Sequence, residues 1–149
     1  MTQIEHLNIT VPDFDETLVF LSIVAPDFKV RKDVGLPGRH RWVHVGNEQS
    51  YFALQEPHLD SLAPRAIQKT YKNHGVNHIG LVVQNRKTIE TKLVEQGYRR
   101  GIYAPKETHR KRAYFYDKAG FEWELTEFLS DIHDEMYLYE CSEICVTSN

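Results

Sequence analysis

The 149-residue sequence predicts an α+β fold built from two tandem βαβββ modules in one domain. Two internal correspondences carry that expectation. Ile4–Val11 aligns with Val76–Val83 so that His6 falls on His78, an offset of 72; Phe52–Glu56 aligns with Trp123–Glu127 at an offset of 71. The frames agree within one residue, so two halves of about seventy residues share a start and an end. Each half is too small to bury a good core by itself, which predicts that they pack as one unit.

The elements follow in order. Each module opens with the aliphatic strand that carries its histidine. In the first half, Asp13 and Glu16 have capping-box spacing after Pro12, ahead of Leu18, Leu21 and Val24, and predict a helix. Strands follow near Phe28–Lys32, Arg41–Val45 and Ser50–Gln55, with Gly35, Gly38 and Gly46-Asn47 as turns. In the second half, Asn85 is placed to cap a helix with Ile89, Leu93 and Val94 on one face, closed by Gly97. Strands are expected near Tyr98–Tyr103, Arg112–Tyr116 and Glu122–Phe128, the last after the turn Asp117-Lys118-Ala119-Gly120. The modules then run from about 3 to 60 and 75 to 128. A polar connector at 61–74, with room for a short helix around Ala66, Ile67 and Tyr71, lies between them, and a tail at 129–149 follows.

Composition narrows the function classes. Eighteen basic and 21 acidic side chains leave a formal charge of −3, so no basic excess exists to neutralise phosphates and nucleic acid is not the expected partner. The apolar runs Leu18–Val24 and Ile79–Val83 are interrupted by Ser22 and Gly80 and fall far short of the ~20 residues that cross a bilayer. Acidic Glu5 and a strand-like start replace the basic and apolar regions of a signal peptide, which points to the cytoplasm. Cys141 and Cys145, four apart near the end, read as two reduced thiols; a two-thiol zinc site is a remote alternative, with no second pair nearby to complete it. Gly-rich phosphate loops and nucleophile-elbow patterns are absent.

The repeat also suggests chemistry. If the modules pack about a pseudo-twofold axis, their opening strands lie side by side. His6, His78 and Glu124 of the last strand then converge in one cleft. Two imidazoles and a carboxylate suit iron, manganese, zinc or nickel. Singly, such residues are more often hydrogen-bonded or solvated. Glu124 gains weight from its place between Trp123 and Leu125, where an unpartnered carboxylate on a buried face is costly.

Ile4–Val11 with Pro12 and Asp13, Val76–Val83, and the run from Tyr114 to Leu125 resemble the vicinal oxygen chelate superfamily. That superfamily includes glyoxalase I, methylmalonyl-CoA epimerase, extradiol dioxygenases, fosfomycin-resistance thiol transferases and bleomycin-resistance proteins. The last run is similar to the family's aromatic–Asp-Pro-x-Gly–Glu-Leu ending, with Lys118 where proline is usual. The resemblance covers about residues 3–128. It implies a curved mixed sheet around a cleft, a homodimer, and metal ligands at His6, His78 and Glu124.

One departure bears on the chemistry. In four-ligand members the module-one counterpart of Glu124 is Glu or Gln, and the repeat places Ala53 there, which binds no metal. Gln55 shares Ala53's face but stands about 6–7 Å further along the strand, so it is the candidate fourth ligand. Glu56 points to the opposite face unless a bulge intervenes. Without a fourth ligand, His6, His78 and Glu124 make a two-histidine, one-carboxylate set with open positions, as in non-haem Fe(II) oxygenases. Fosfomycin transferases resemble the three-ligand pattern, but Lys106–Arg112 lacks their serine- and glycine-rich loop, which argues against that activity.

Further candidates are His44 as a proton shuttle on the face of Trp42, Tyr114 as a catalytic group, and Asn8, Arg112 and Tyr116 as substrate contacts. Sheet hydrogen bonding and core packing are the plainer alternatives for them. The basic run His109–Arg112 suits an anionic substrate, or is a solvated loop. Two functions are therefore expected. The first is a metal-dependent enzyme, glyoxalase-like lyase or isomerase or dioxygenase-like, acting on a small oxygen-chelating substrate. The second is a non-catalytic small-molecule binding or sequestering protein.

Overall fold

The computed structural model describes residues 2–36, 39–57 and 75–138, with Arg39 described through its backbone alone. The connector, its expected short helix, both cysteines and the end of the tail lie outside the described residues.

Each module has its own four-stranded mixed sheet. In the first, β1 (His6–Thr10), α1 (Phe14–Val24), β2 (Lys29–Leu36), β3 (Arg39–Gly46) and β4 (Tyr51–Gln55) give the order β1-β4-β3-β2. In the second, β5 (His78–Val82), α2 (Arg86–Glu95), β6 (Arg99–Arg100), β7 (Arg110–Tyr116) and β8 (Glu122–Phe128) give β5-β8-β7-β6. The opening strand runs parallel to the last one in both, and the other pairs are antiparallel. A short α3 (His133–Met136) begins the tail.

The registers confirm the repeat residue by residue. Ala53 lies between Asn8 and His44, and Glu124 lies between Gly80 and Tyr114. These triplets differ by 72, 71 and 70, so the two sheets superpose position for position.

The two mixed ladders are the expected pair of βαβββ modules, and β1 and β5 each end one of them. The modules meet through the sides of their sheets that face the helices, where Phe52 packs edge-on against Trp123 at 5.3 Å and Phe20 touches Trp123 and Tyr98. Asn85 does not cap α2 with its side chain. It sits at φ +55, and its carbonyl accepts from Thr88 and Ile89 instead. Val94 is half exposed whereas Ile89 and Leu93 are buried, because the apolar face of α2 is narrower than its sequence implies.

The other helix ends behave as expected. The Asp13 carboxylate accepts from Glu16 N at 3.1 Å, satisfying one orphan donor of α1. Gly97, at φ +77, closes α2 with bonds from its own N–H to Val94 and from Tyr98 to Leu93. Strand β6 stops at Arg100, earlier than the expected Tyr103. Gly101 makes a last bond to Tyr114 O at 2.7 Å, after which the chain leaves the ladder towards Pro105, which has no N–H to donate.

Candidate metal centre

A strand turns alternate residues to one face, and the burial of β1 and β5 assigns the faces clearly. Leu7, Ile9, Ile79 and Leu81 turn towards the core. His6, Asn8, His78 and Val82 point away from it.

On module two this outer face gathers charge around one carboxylate. Glu124 lies diagonally across from His78, whose Nε2 is 3.2 Å from Glu124 Oε2. Tyr114 Oη donates to the same oxygen at 2.7 Å, and Thr126 Oγ1 donates to Oε1 at 3.0 Å. Arg112 Nη1 stands 3.3 Å from Tyr114 Oη and 3.7 Å from Glu124 Oε1. Its Nε is bound by Glu107 at 2.8 Å, and Glu107 also pairs with Arg110. Glu124 is thus oriented by two hydroxyls and a guanidinium, while His78 remains about a third exposed. Outer partners of this kind fix the direction of a ligating carboxylate.

Beneath this group lies a second carboxylate. Glu122 is buried, with Tyr116 opposite it in register. Burial first, and then the bond to Glu122, raise the Tyr116 phenol above its usual range. A Cβ at Gly101 would collide with the Glu122 carboxylate and approach Tyr114 Cβ to 2.8 Å, so only glycine lets the chain cross there.

Module one presents rings where module two presents charge. Trp42 contacts His44 at 4.6 Å between centroids, His44 contacts Tyr51 at 4.7 Å, and Tyr51 stacks on His6 at 5.0 Å and 19°. The Arg31 guanidinium lies over Tyr51 at 4.8 Å. His6 Nδ1 bonds to Glu5, and that bond holds the Glu5 carboxyl below its usual range. Ala53 forms the floor between His44 and Asn8, only 5% exposed. Gln55 lies opposite Trp42 and Thr10, one step further along the face.

The structure therefore brings together His78, Glu124, Tyr114 and Arg112, with Tyr116 on the same face. It places His6, Asn8, His44 and Gln55 on the corresponding face of the other module. Among the described residues no three His, Cys, Asp or Glu side chains come close enough to hold a metal, so His6 does not join His78 and Glu124 within one chain. Sequence reasoning missed Thr126, Glu107, Glu122 and Tyr51. Thr126 and Glu122 were within reach, since each is two residues from Glu124 on a strand. Nothing in the sequence linked Glu107 to Arg112, because the pairing spans an irregular segment.

Among the described residues no helix is long and apolar enough to cross a membrane. The sequence matches no family model and no curated protein. Solved structures do match. A glyoxalase family protein from Bacillus cereus superposes with a TM-score of 0.72 at 12% identity, over 87% of this chain and 96% of that one. The fosfomycin resistance protein FosX from Listeria monocytogenes, crystallised with Mn(II) and sulfate, gives 0.62 at 19% identity over 91% and 97%. FosX from Mesorhizobium loti gives 0.60 at 17% over 89% and 94%. The chain shares the fold of these glyoxalase-family and FosX structures.

Proposed function

We propose that this protein is a divalent-metal-dependent enzyme acting on a small oxygen-chelating substrate, by lyase or isomerase chemistry or by dioxygenase-like chemistry. The observation that carries the reading is the His78–Glu124 pair, in which His78 is about a third exposed and the largely buried Glu124 is oriented by Tyr114, Thr126 and Arg112. The Mn(II) in the FosX structure supports divalent-metal use on this fold. A imidazole nitrogen and a carboxylate oxygen that converge fit two corners of a metal site, and a third donor must come from elsewhere. His6 of a second copy supplies it in this reading, because β1 and β5 each end a ladder among the described residues, where a second chain can add.

A divalent metal held there would supply Lewis acidity to the substrate. The chain's own groups do the rest. Glu124 and His78 would hold the ion, and Tyr114 keeps a proton at Oη, donated to Glu124 Oε2. Arg112 offers a fixed positive charge to oxygen atoms that gain charge during reaction. The second copy that brings His6 would also bring its neighbours Tyr51, His44 and Trp42, whose rings would exclude water from the opposite side. A second reading, a binding protein without chemistry, is favoured by Ala53, which removes a ligand that four-coordinate sites possess.

Subunit complementation tests the assembly. His6→Ala and Glu124→Ala proteins are each expected to bind no stoichiometric metal. Mixed and reassociated, they should regain one ion per mixed dimer, because one of its two sites draws intact residues from both chains. No recovery in a dimer verified as mixed counts against the shared site. Sedimentation at micromolar concentration should show about twice 17.4 kDa, and a clean monomer would sink the reading. Removing residues 131–149, which include exposed Ile132, Tyr137 and Leu138, is expected to weaken association; an unchanged constant would leave the tail outside the interface.

Ala53 and Gln55 decide the coordination number. A glutamate at 53 would stand to His6 as Glu124 stands to His78, so Ala53→Glu is expected to tighten metal and block a substrate position. Gln55→Ala should change affinity by less than about tenfold (~1.4 kcal/mol) in anaerobic titrations with Fe(II), Mn(II) and Zn(II). A larger loss makes Gln55 a ligand and ends the open-triad reading.

A further inference from the structure

We infer that a second copy of this chain lays its β1 antiparallel along β5 with Ile4 seated on Gly80, in the register that sets the second copy's His6 level with His78. This contact rests on the shared centre proposed above and gives it a direction, a register and an apolar seat. Gly80 lies in the middle of β5, where a glycine weakens a strand because it has no side chain to pack. Its backbone is not left-handed, so conformation does not demand glycine there. A Cβ at Gly80 would meet nothing within 4 Å, so packing among the described residues does not demand it either. A strand glycine of that kind marks the close approach of something from outside. Gly80 is exposed on the outer face between His78 and Val82 and is in register with Glu124, so whatever approaches arrives beside the centre.

The direction follows from the repeat. Strands β1 and β5 are equivalent edges of equivalent sheets, and each ends its ladder among the described residues. Two such edges meet with their outer faces on one side when one sheet is turned half a revolution about the sheet normal, which makes the strands antiparallel. With His6 level with His78, counting outward puts Ile4 opposite Gly80 and Asn8 opposite Val76. Directly opposed residues of an antiparallel pair have Cα atoms about 4.5–5.5 Å apart. The sizes match. Ile4 is 83% exposed and Val76 66% exposed, each two residues before its histidine. Antiparallel pairing gives the large Ile4 the open space at Gly80, and gives Val76 the smaller Asn8. A parallel pair would set Ile4 against Val76 and leave that space to Asn8. Seated on Gly80, Ile4 shields one side of Glu124 from water.

Disulfide trapping in the full chain tests the register, with Cys141→Ser and Cys145→Ser as background and a chelator present so that metal plays no part. Opposed cysteines bridge only when their Cα atoms lie within about 7 Å. Ile4→Cys combined with Gly80→Cys is expected to give a covalent dimer on oxidation, whereas Ile4→Cys combined with Val76→Cys should not. Linkage at 4 and 76 instead, or at neither pair, overturns the register. Gly80→Val, in the chain without introduced thiols, fills the seat. It should leave the circular dichroism unchanged and raise the dimer dissociation constant by about tenfold or more. Unaltered association overturns the seat, and so does loss of the strand signal, which would mean that Gly80 serves its own chain. Mn(II) offered to the parent separates this contact from the metal reading. Linkage at 4 and 80 with no uptake keeps the contact and ends the metal reading; uptake without that linkage does the reverse.

Discussion

Glu124→Ala is expected to lower divalent-metal affinity by more than about 100-fold, whereas Tyr114→Phe should lower it by about 10–100-fold, the usual range for an outer partner. The difference in rank follows from geometry. Glu124 Oε2 meets His78, while the Tyr114 hydroxyl only orients that oxygen from 2.7 Å. His78→Ala should match Glu124→Ala. Metal titration followed by isothermal calorimetry on all three variants reads the order directly. If Tyr114→Phe cost as much as Glu124→Ala, the phenol would be a ligand, and the assignment of the centre would be wrong.

The second large effect is on stability. Trp123→Ala should destabilise the protein by about 3–5 kcal/mol, the range for removing a large aromatic from a core. Trp123 is 1% exposed and meets Phe20 of α1 and Phe52 of β4, so it fills the seam between the modules. Its Nε1 also donates to Asp117 Oδ2 at 3.0 Å, and Asp117 in turn accepts from Phe121 N within the β7–β8 turn. Trp123→Phe keeps much of the apolar contact but loses that donor, and should cost less. Urea denaturation measures both. Near-equal losses for Phe and Ala would mean that the hydrogen bond, not the packing, carries the residue's contribution.

How far the sequence could be read depended on which interactions are local. The repeat was legible because strand alternation and helix capping repeat with the chain: His6 over His78 and Ala53 over Glu124 reappear as matching register positions. The same local logic located Asp13 as a cap and Gly97 as a stop. Placement of one module against the other was not legible, since it rests on Phe20, Phe52 and Trp123, which any core-facing pattern allows. Hence the expectation that His6 would meet His78 within one chain was the step that exceeded the sequence. The support of Glu124 by Thr126 and Tyr114 was half legible, through shared strand faces. The Arg86–Glu90–Arg100 cluster was not, because Arg100 reaches α2 only after β6 has set its direction.

The closure of each ladder within its own module has a consequence for motion. Parallel pairing of β1 with β4, and of β5 with β8, completes every strand contact before the modules meet. What joins them is side-chain packing, α1 against α2, and the Lys118–Glu16 pair at 2.7 Å. Among the described residues, opening the seam therefore severs no strand-to-strand hydrogen bond. The buried side chains of both modules nevertheless form one apolar cluster, so the two ladders are held by a core that neither owns alone. Opening the seam would therefore cost the shared aromatic contacts of Phe20, Phe52 and Trp123 while leaving the ladder bonds themselves formally intact.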